Sequence, residues 1–377
     1  MAWTPDGDSI VYWSQGHIWR VDVASGESRQ IPFSVNDTRT AYPAVEVAVD
    51  VAPDTLTTTL PRFATQSPDG QSVAFESMGR LYLKRNGEKA KRLTRDTAPA
   101  VEFSPAFSPD GKEVYYLTWS DDELGSIRKV SARGGRSKEV LATPGHYVDL
   151  SVSSDGETLL FAKLSGSSLT NPHWGKNPGI YILNLSDEEA QFVSRRGRSP
   201  HFGPGDRIYV TERVSSAVGR GSDDASSELI SMNHDGEDVR THASSPLATV
   251  IRMSPAGKHV AYREAGRLYV AALPMTGRSI DLAAIENTAS GAAAYATERV
   301  SAPGGEFIQW SADGSSLTWS VGPRFFQYIV NGSLGSGTND AQQIADLSLS
   351  VDSDRPQGTV AFTNARVITM NLSLIHI

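Results

Sequence analysis

The chain of 377 residues contains no cysteine, no long apolar run and no excess of positive charge. The absence of cysteine excludes disulfides and thiolate metal sites, and it gives no information about the cellular compartment. Because no apolar run approaches ~20 residues, we expect no transmembrane helix. The formal net charge is −8, so the composition as a whole favours neither a nucleic acid nor an anionic membrane as a partner.

Several motifs of catalytic proteins are also absent from the sequence. None of the eight histidines is separated from another by a single residue, which excludes a His-x-His metal pair. No serine has glycine two residues before it and two residues after it, which excludes the Gly-x-Ser-x-Gly nucleophile elbow. A phosphate-binding Gly-Lys-Ser/Thr motif is missing as well. The sequence therefore predicts no catalytic residue and no metal or cofactor site.

A four-residue turn motif recurs along the chain, and its clearest copy lies within residues 102–141. There the turn 108–111, Ser-Pro-Asp-Gly, separates an apolar strand at 102–107 from a second strand at 114–119. Proline pre-sets φ at the first corner, and glycine accepts the left-handed conformation that closes a bulged hairpin. Two further strands, 127–130 and 138–141, complete a sheet of four. Because such a sheet cannot bury both of its faces alone, it needs copies of itself.

Six other positions carry the same turn or a degraded form of it. With Gly205 and Ala256 at the aspartate position, the seven turns lie at residues 6, 69, 110, 155, 205, 256 and 313. Four strands per unit, at a period of about 40 to 50 residues, are typical of a β-propeller. We therefore predict an all-β fold, a β-propeller of four-stranded antiparallel blades, with six blades preferred and seven possible.

The spacing of the turns also predicts the domain organisation. Residues 1–33 form a single blade-like unit, interpreted as the end of an upstream propeller, and residues 34–62 form a linker with a hairpin. The propeller is expected over residues 63–345. A strand at 45–51 or 347–351 is expected to complete the last blade, since an open ring would leave unpaired edges. Residues 346–370 are expected to be a connector and the first strands of a further domain.

The repeat units resemble the TolB-like propeller repeat, and the segment 358–370, GTVAFTNARVITM, is similar to the opening strand of an amidohydrolase. With the linker 29–61 and the loops at 118–126 and 144–147, this combination resembles proteins in which TolB-like propellers precede an amidohydrolase domain. The resemblance implies a parent protein whose missing C-terminal barrel would bind a divalent metal such as zinc. Residues 371–377 resemble a translated sequencing adapter and are interpreted as a non-native tail, with an ordinary hydrophobic tail as the alternative.

Seven residues are candidates for an interface or a substrate rim: His146, Tyr147, His173, Trp174, Trp119, Asp121 and Asp122. The His-Trp pair at 173–174 either contacts the missing catalytic domain or lies in a loop folded over its own blade. The His-Tyr pair at 146–147 is expected near the central channel, with a structural histidine as the alternative. The two aspartates follow a tryptophan in a loop that lacks the alternating spacing of a calcium site, so a solvated hairpin tip is the competing interpretation. A basic run at 84–95 is interpreted as an exposed outer hairpin.

From these observations we expect a non-catalytic propeller fragment of an amidohydrolase-related, metal-dependent hydrolase. It would act as a scaffold, restrict access or serve as an interaction module. Its partners would be the missing C-terminal domain, an upstream propeller and another protein, and the fragment itself would hold no cofactor. One alternative is a stand-alone TolB-like interaction propeller of the cell envelope, and another is the propeller of a serine peptidase. A periplasmic or secreted location follows from the resemblance alone.

Overall fold

The computed structural model describes residues 1–40, 50, 53–96, 100–165, 177–187, 189–215, 225–274, 277–282, 295–302, 304–330, 334, 341–354, 358–361 and 363–365. The chain divides into two compact units, one formed by residues 1–52 and 354–377 and the other by residues 53–353. The described secondary structure consists of strands, apart from one short 3-10 helix at Pro204–Asp206. No helix in these ranges is long and apolar enough to cross a membrane.

The first unit contains one antiparallel sheet, at the position of the predicted blade-like unit. Its strands, in order, are β1 (Ala2–Trp3), β2 (Ser9–Ser14), β3 (His17–Asp22) and β4 (Ser28–Ile31). Trp3 and Trp13 are 62% and 73% exposed, so neither side chain is buried by this sheet. These two tryptophans do not have the interior packing role that is usual for tryptophan on strands.

The second unit contains twenty-seven strands in the described ranges. In chain order they are β5 (Thr55–Thr57), β6 (Arg62–Gln66), β7 (Ser72–Ser77), β8 (Arg80–Arg85), β9 (Lys91–Arg92), β10 (Val101–Phe107), β11 (Glu113–Trp119), β12 (Gly125–Ser131), β13 (Lys138–Gly145), β14 (Tyr147–Val152), β15 (Thr158–Lys163), β16 (Gly179–Asn184), β17 (Gln191–Ser194), β18 (Arg198–Gly203), β19 (Arg207–Ser215), β20 (Ala225–Met232), β21 (Arg240–Ser245), β22 (Ala248–Met253), β23 (His259–Glu264), β24 (Arg267–Ala272), β25 (Ile280–Asp281), β26 (Thr297–Arg299), β27 (Glu306–Trp310), β28 (Ser316–Val321), β29 (Arg324–Ile329), β30 (Gln342–Asp346) and β31 (Ser350–Asp352).

These strands form six sheets that follow one another along the chain, which we number ring sheets 1 to 6, and one two-stranded sheet of β5 and β31. Ring sheets 1, 2, 3 and 6 each take four consecutive strands, beginning with β6, β10, β14 and β27. Ring sheet 4 takes β18–β21 with β25 as a fifth strand, and ring sheet 5 takes β22–β24 with β26. Neighbouring strands pair antiparallel, except that β25 runs parallel to β21.

The recurrent turn joins the first and second strands of the ring sheets through local hydrogen bonds. The Ser108 hydroxyl donates to the Asp110 carboxylate at 2.7 Å, and the Lys112 backbone N–H donates to the same carboxylate oxygen at 3.0 Å. Gly111 closes the turn at φ 69°. The hydrogen bond from Ser108 is the main cause that holds the pKa of Asp110 well below its usual value. Equivalent bonds form at Asp69, Asp155 and Asp313.

Hydrophobic clusters lie between consecutive ring sheets, and one of them joins the last sheet to the first. In that seam cluster, Ala64 and Phe75 of ring sheet 1 pack with Phe325 of ring sheet 6 and with Leu347. The remaining clusters span sheets 1 and 2, 2 and 3, 3 and 4, 4 and 5, and 5 and 6. Each sheet therefore buries its faces against its neighbours, and the prediction of a β-propeller of four-stranded antiparallel sheets is confirmed.

The first strands of ring sheets 1, 2 and 6 lie next to one another. Phe63 on β6 contacts Phe103 on β10 and Phe307 on β27, with ring centroids 5.8 Å and 4.9 Å apart. A single side chain thus touches the first strands of both neighbouring sheets. The Thr65 hydroxyl also donates across the seam to the Gln309 side-chain oxygen at 2.5 Å.

The strand that ends the last sheet differs from the prediction. The fourth strand of ring sheet 6 is β30, whereas Leu347 follows it as a buried residue and β31 pairs antiparallel with β5. The pairing of β5 with β31 extends the second unit to residues 53–353, beyond the predicted 63–345. Among the described residues of 346–370, β31 is the strand that forms, and it belongs to this unit. The alternative strand at 45–51, apart from residue 50, and the whole of 366–377 lie outside the described residues.

Candidate interaction surface

The structure brings together three of the predicted rim residues at one end of ring sheet 2. Trp119 ends the second strand of this sheet, and its indole N–H donates to the Asp121 carboxylate at 3.1 Å. The exposed His146, between β13 and β14, lies against the same indole, with ring centroids 4.8 Å apart. The loop that follows the tryptophan is tied by the Ser120 hydroxyl, which accepts the Glu123 N–H at 3.0 Å. This rim combines an aromatic pair with an acidic loop.

Tyr147 has a different role from its neighbour in the sequence. Its ring is buried and packs edge-on against Phe161, with centroids 5.2 Å apart. Its hydroxyl donates to the Thr143 carbonyl oxygen at 2.6 Å, and burial raises the pKa of Tyr147 to about 12. Tyr147 therefore packs between ring sheets 2 and 3 and is not part of the exposed rim. His173 and Trp174, the other predicted pair, lie outside the described residues.

A cleft of about 890 Å³ opens beside this rim, on the face of ring sheet 2 that is turned towards ring sheet 1. Asp122, the remaining predicted rim residue, lies on its wall. The segments that line the cleft are the connection from ring sheet 1 to ring sheet 2 and the four strands of ring sheet 2 with their loops. The lining side chains are mostly charged or hydroxylated: Arg95, Asp96, Glu102, Tyr116, Thr118, Ser120, Asp122, Glu123, Ser126, Arg128, Arg136 and Glu139.

The deepest charged group of the cleft is the carboxylate of Glu102, which is only 3% exposed. It accepts the Leu81 backbone N–H at 3.0 Å and the Thr94 hydroxyl at 2.7 Å. Guanidinium nitrogens of Arg80 and Arg92 each approach it to 3.8 Å. A buried carboxylate is stable only with such partners, so Glu102 ties ring sheet 1 to ring sheet 2 at the floor of the cleft.

A second polar cluster forms the outer wall of the cleft. Asp96 accepts hydrogen bonds from the Ser137 hydroxyl and, at 3.4 Å, from the Tyr116 hydroxyl. Arg128 donates to Ser137 at 2.9 Å and forms an ion pair with Glu139 at 3.4 Å. Burial is the main cause that raises the pKa of Tyr116 to about 12, so this hydroxyl keeps its proton at neutral pH.

Four charged side chains on the wall are not part of these clusters. Within the described ranges, Arg95, Arg136, Asp122 and Glu123 form no ion pair of 4.0 Å or less. The cleft therefore presents both signs of charge next to exposed Leu124. Such a surface suits a polar, charged partner. No group of three His, Asp or Glu side chains able to hold a metal ion occurs among the described residues.

The sequence did not predict this cleft. Glu102 could be recognised only as the start of a strand, and Arg92 and Arg95 only as the end of an exposed basic run. The structure leaves that run largely exposed, yet it places these two arginines at the cleft. An acidic residue at the start of an otherwise apolar strand was the one signal that could have indicated a buried, paired carboxylate.

No protein-family model matches the chain. No curated protein matches it in sequence either. Solved structures with a similar backbone include TolB from Acinetobacter baumannii, with 15% sequence identity and a TM-score of 0.46. The matched region covers 91% of this chain and 81% of that chain. An oligogalacturonate lyase in complex with manganese has 11% identity and a TM-score of 0.45, covering 93% and 88%. A gluconolactonase from Xanthomonas campestris has 12% identity and a TM-score of 0.48, covering 72% and 86%. The chain is thus similar to proteins of several activities, and its own fold assignment depends on the packed ring sheets described above.

Proposed function

We propose that this chain is a TolB-like, six-bladed propeller that serves as a non-catalytic interaction module. The observation that carries the proposal is the rim beside the 890 Å³ cleft, where the half-buried Trp119 lies next to the exposed Asp121 and His146. Aromatic side chains next to polar, charged groups are typical of protein interfaces, where the aromatic residue provides most of the binding energy. The ring sheets position this surface rigidly, because the rim residues lie at the ends of strands.

We further propose that the propeller belongs to a longer amidohydrolase-related hydrolase and restricts access to its active site. The resemblance of residues 358–370 to an amidohydrolase opening strand supports this proposal. The zinc or other divalent metal would bind in the catalytic barrel, outside this chain. The preferred partner of the rim is that barrel domain, and an extracytoplasmic location goes with the proposal. A stand-alone envelope protein and the propeller of a serine peptidase are the competing assignments.

The coding sequence after residue 370 discriminates these assignments. A His-x-His motif within the next ~100 residues, the start of one further domain, supports the amidohydrolase. A stop codon supports a stand-alone propeller, and Gly-x-Ser-x-Gly supports a serine peptidase. The purified chain should hydrolyse no amide or ester substrate with or without zinc. Zinc-dependent turnover by this chain alone would contradict the non-catalytic assignment.

A binding measurement tests the rim itself. With the downstream domain expressed separately, Trp119→Ala should weaken its binding to the propeller by roughly tenfold to a hundredfold, the range of a central aromatic contact. The control is Ile329→Ala, which removes a side chain that is 53% exposed in ring sheet 6 and should leave the affinity unchanged. Equal affinities of the two variants would show that the rim is not the interface, even if the downstream domain proves to be an amidohydrolase.

A further inference from the structure

A second, much smaller pocket lies where ring sheet 4 meets ring sheet 5. Its volume is about 90 Å³, and it is lined by Arg198, Thr211, Arg213, Ser227 and Thr249. A space of this size can hold several water molecules or one small oxyanion. The pocket shares no residue with the large cleft, which lies on ring sheet 2.

Strand pairing explains why these side chains meet. Arg198 on β18 is paired with Thr211 on β19, and Arg213 on β19 is paired with Ser227 on β20. Residues two apart on a strand, and residues directly opposite each other, share one face of a sheet. The two arginines therefore lie on the same face of ring sheet 4. Thr249 on β22 reaches this space from ring sheet 5.

The hydroxyl groups of the pocket are already used as donors within the protein. Thr211 donates to the Ile251 carbonyl oxygen at 3.0 Å, and Ser227 donates to the Ala248 carbonyl oxygen at 2.6 Å. The N–H groups that remain available to a ligand are those of the two guanidinium groups. Both arginines are exposed, so a ligand can reach them from solvent.

The two arginines of the pocket have no close carboxylate partner among the described residues. Nearby arginines have carboxylate partners: Arg196 binds Glu212 at 2.6 Å, and Arg263 binds Glu306. In the described ranges, Arg198 and Arg213 form no ion pair of 4.0 Å or less. Like charges close together on one face of a sheet are destabilising without a counter-ion. A bound anion would remove this repulsion.

We propose that the pocket between ring sheets 4 and 5 is a binding site for a phosphate group, held by Arg198 and Arg213. Two guanidinium groups match the charge of a phosphate, about −1.5 to −2 at neutral pH, better than they match the single charge of a carboxylate. Each guanidinium can form a paired, bidentate contact with phosphate oxygens. The phosphate is either free in solution or an ester on a larger molecule.

Calorimetric titration of the intact chain at constant ionic strength tests this site. The probes are inorganic phosphate, O-phosphoserine and acetate, each against a chloride blank at pH 7.5. The variants are Arg198→Gln/Arg213→Gln and, as a matched control, Arg195→Gln, which removes an exposed arginine of the connection between β17 and β18 that lies outside the pocket. We expect phosphate or phosphoserine to bind the native chain and the control equally, and at least about tenfold more weakly to the double variant.

The relative affinities of the two phosphate probes identify the source of the group, and binding of either one supports the site. Acetate binding as tight as phosphate binding would contradict a phosphate site, since a single negative charge would then suffice. No heat of binding with either phosphate probe, or equal affinity in the double variant, would overturn the proposal. A thermal melt of each variant in chloride alone verifies that the substitutions leave the protein folded.

Discussion

The packing between ring sheets 6 and 1 depends on Leu347. Shortening this side chain therefore tests that packing with a single substitution. Leu347 is completely buried, and its backbone N–H donates to the Pro323 carbonyl oxygen at 2.7 Å. Its side chain belongs to the cluster that joins the two sheets, together with Phe75 and Phe325. Leu347→Ala removes three carbons from this cluster without touching the backbone hydrogen bond.

The expected loss of stability follows from the burial. Leucine-to-alanine changes at fully buried sites cost about 2–5 kcal/mol, because the lost transfer energy and the remaining cavity add. The melting-temperature shift per kcal/mol falls as a domain grows, to roughly 1.6 °C for a unit as long as residues 53–353, so the second unit should melt lower by about 3–8 °C. Leu60→Ala is the control, since Leu60 is 75% exposed and should cost less than about 0.5 kcal/mol.

Urea unfolding followed by tryptophan fluorescence measures the difference. Trp319 reports on ring sheet 6, because it is 1% exposed there and its emission should shift to the red when that sheet opens. Leu347→Met, which conserves volume, should cost less than about 1.5 kcal/mol. If Leu347→Ala and Leu60→Ala unfold at the same urea concentration, Leu347 is not packed in a seam and the ring does not close there.

Two further substitutions test the interior of the ring. The buried His201 ring accepts the Met253 N–H at 3.0 Å, and burial lowers the pKa of His201 to about 3. The unfolded chain therefore binds a proton below pH ~6.5 that the folded chain does not, so the free energy of unfolding should fall with decreasing pH, by on the order of 2 kcal/mol at pH 5. The variant His201→Gln should flatten this slope between about pH 7 and pH 5 in urea titrations. An unchanged slope would contradict the assignment of the slope to His201. Gly125→Ala should destabilise the cleft wall, because the new Cβ would lie 2.3 Å from the Gly145 carbonyl oxygen. The control Gly87→Ala, with open space around its Cβ, should cost only about 1 kcal/mol in a thermal melt. Equal melting temperatures of the two variants would refute the close contact at Gly125.

The repeated sheets could be predicted because each is specified by local chemistry. A serine, an aspartate and a glycine within four residues make the hydrogen bonds and the positive φ of the turn, so the turn is visible in the sequence without any tertiary information. The degraded unit differs, since its connection is the 3-10 turn Pro204–Asp206, with Gly205 at φ 68° and Asp206 at φ 55°. The rim could also be predicted from the sequence, since Trp119 and Asp121 are only two residues apart.

The cleft and the small pocket could not be predicted in this way. Glu102 acquires its role only when ring sheet 1 brings Arg80 and Leu81 to it, and Arg198 meets Arg213 only through strand register. The seam also escaped prediction, because alternation at residues 347–351 indicates a strand but not its partner. In the structure, the partner of β31 is β5, almost three hundred residues earlier in the chain.

This pairing of β5 with β31 provides the most direct test of the closed ring. Thr57 and Ser350 are exposed and directly opposite each other, and the hydrogen-bond pattern from the Thr58 N–H to the Leu349 carbonyl oxygen makes them a non-hydrogen-bonded pair. Cα atoms in such pairs are about 4.5 Å apart, within the range that a disulfide spans. The natural chain has no cysteine, so Thr57→Cys/Ser350→Cys introduces a single possible bond.

Mass spectrometry and thiol titration after mild oxidation report on that bond. The closed ring predicts an intramolecular disulfide in the native double variant, with both thiols lost, and none in Thr55→Cys/Ser350→Cys, whose positions are two residues out of register. Two free thiols in the first variant, or equal oxidation of both variants, would contradict a propeller closed between its first and last sheets.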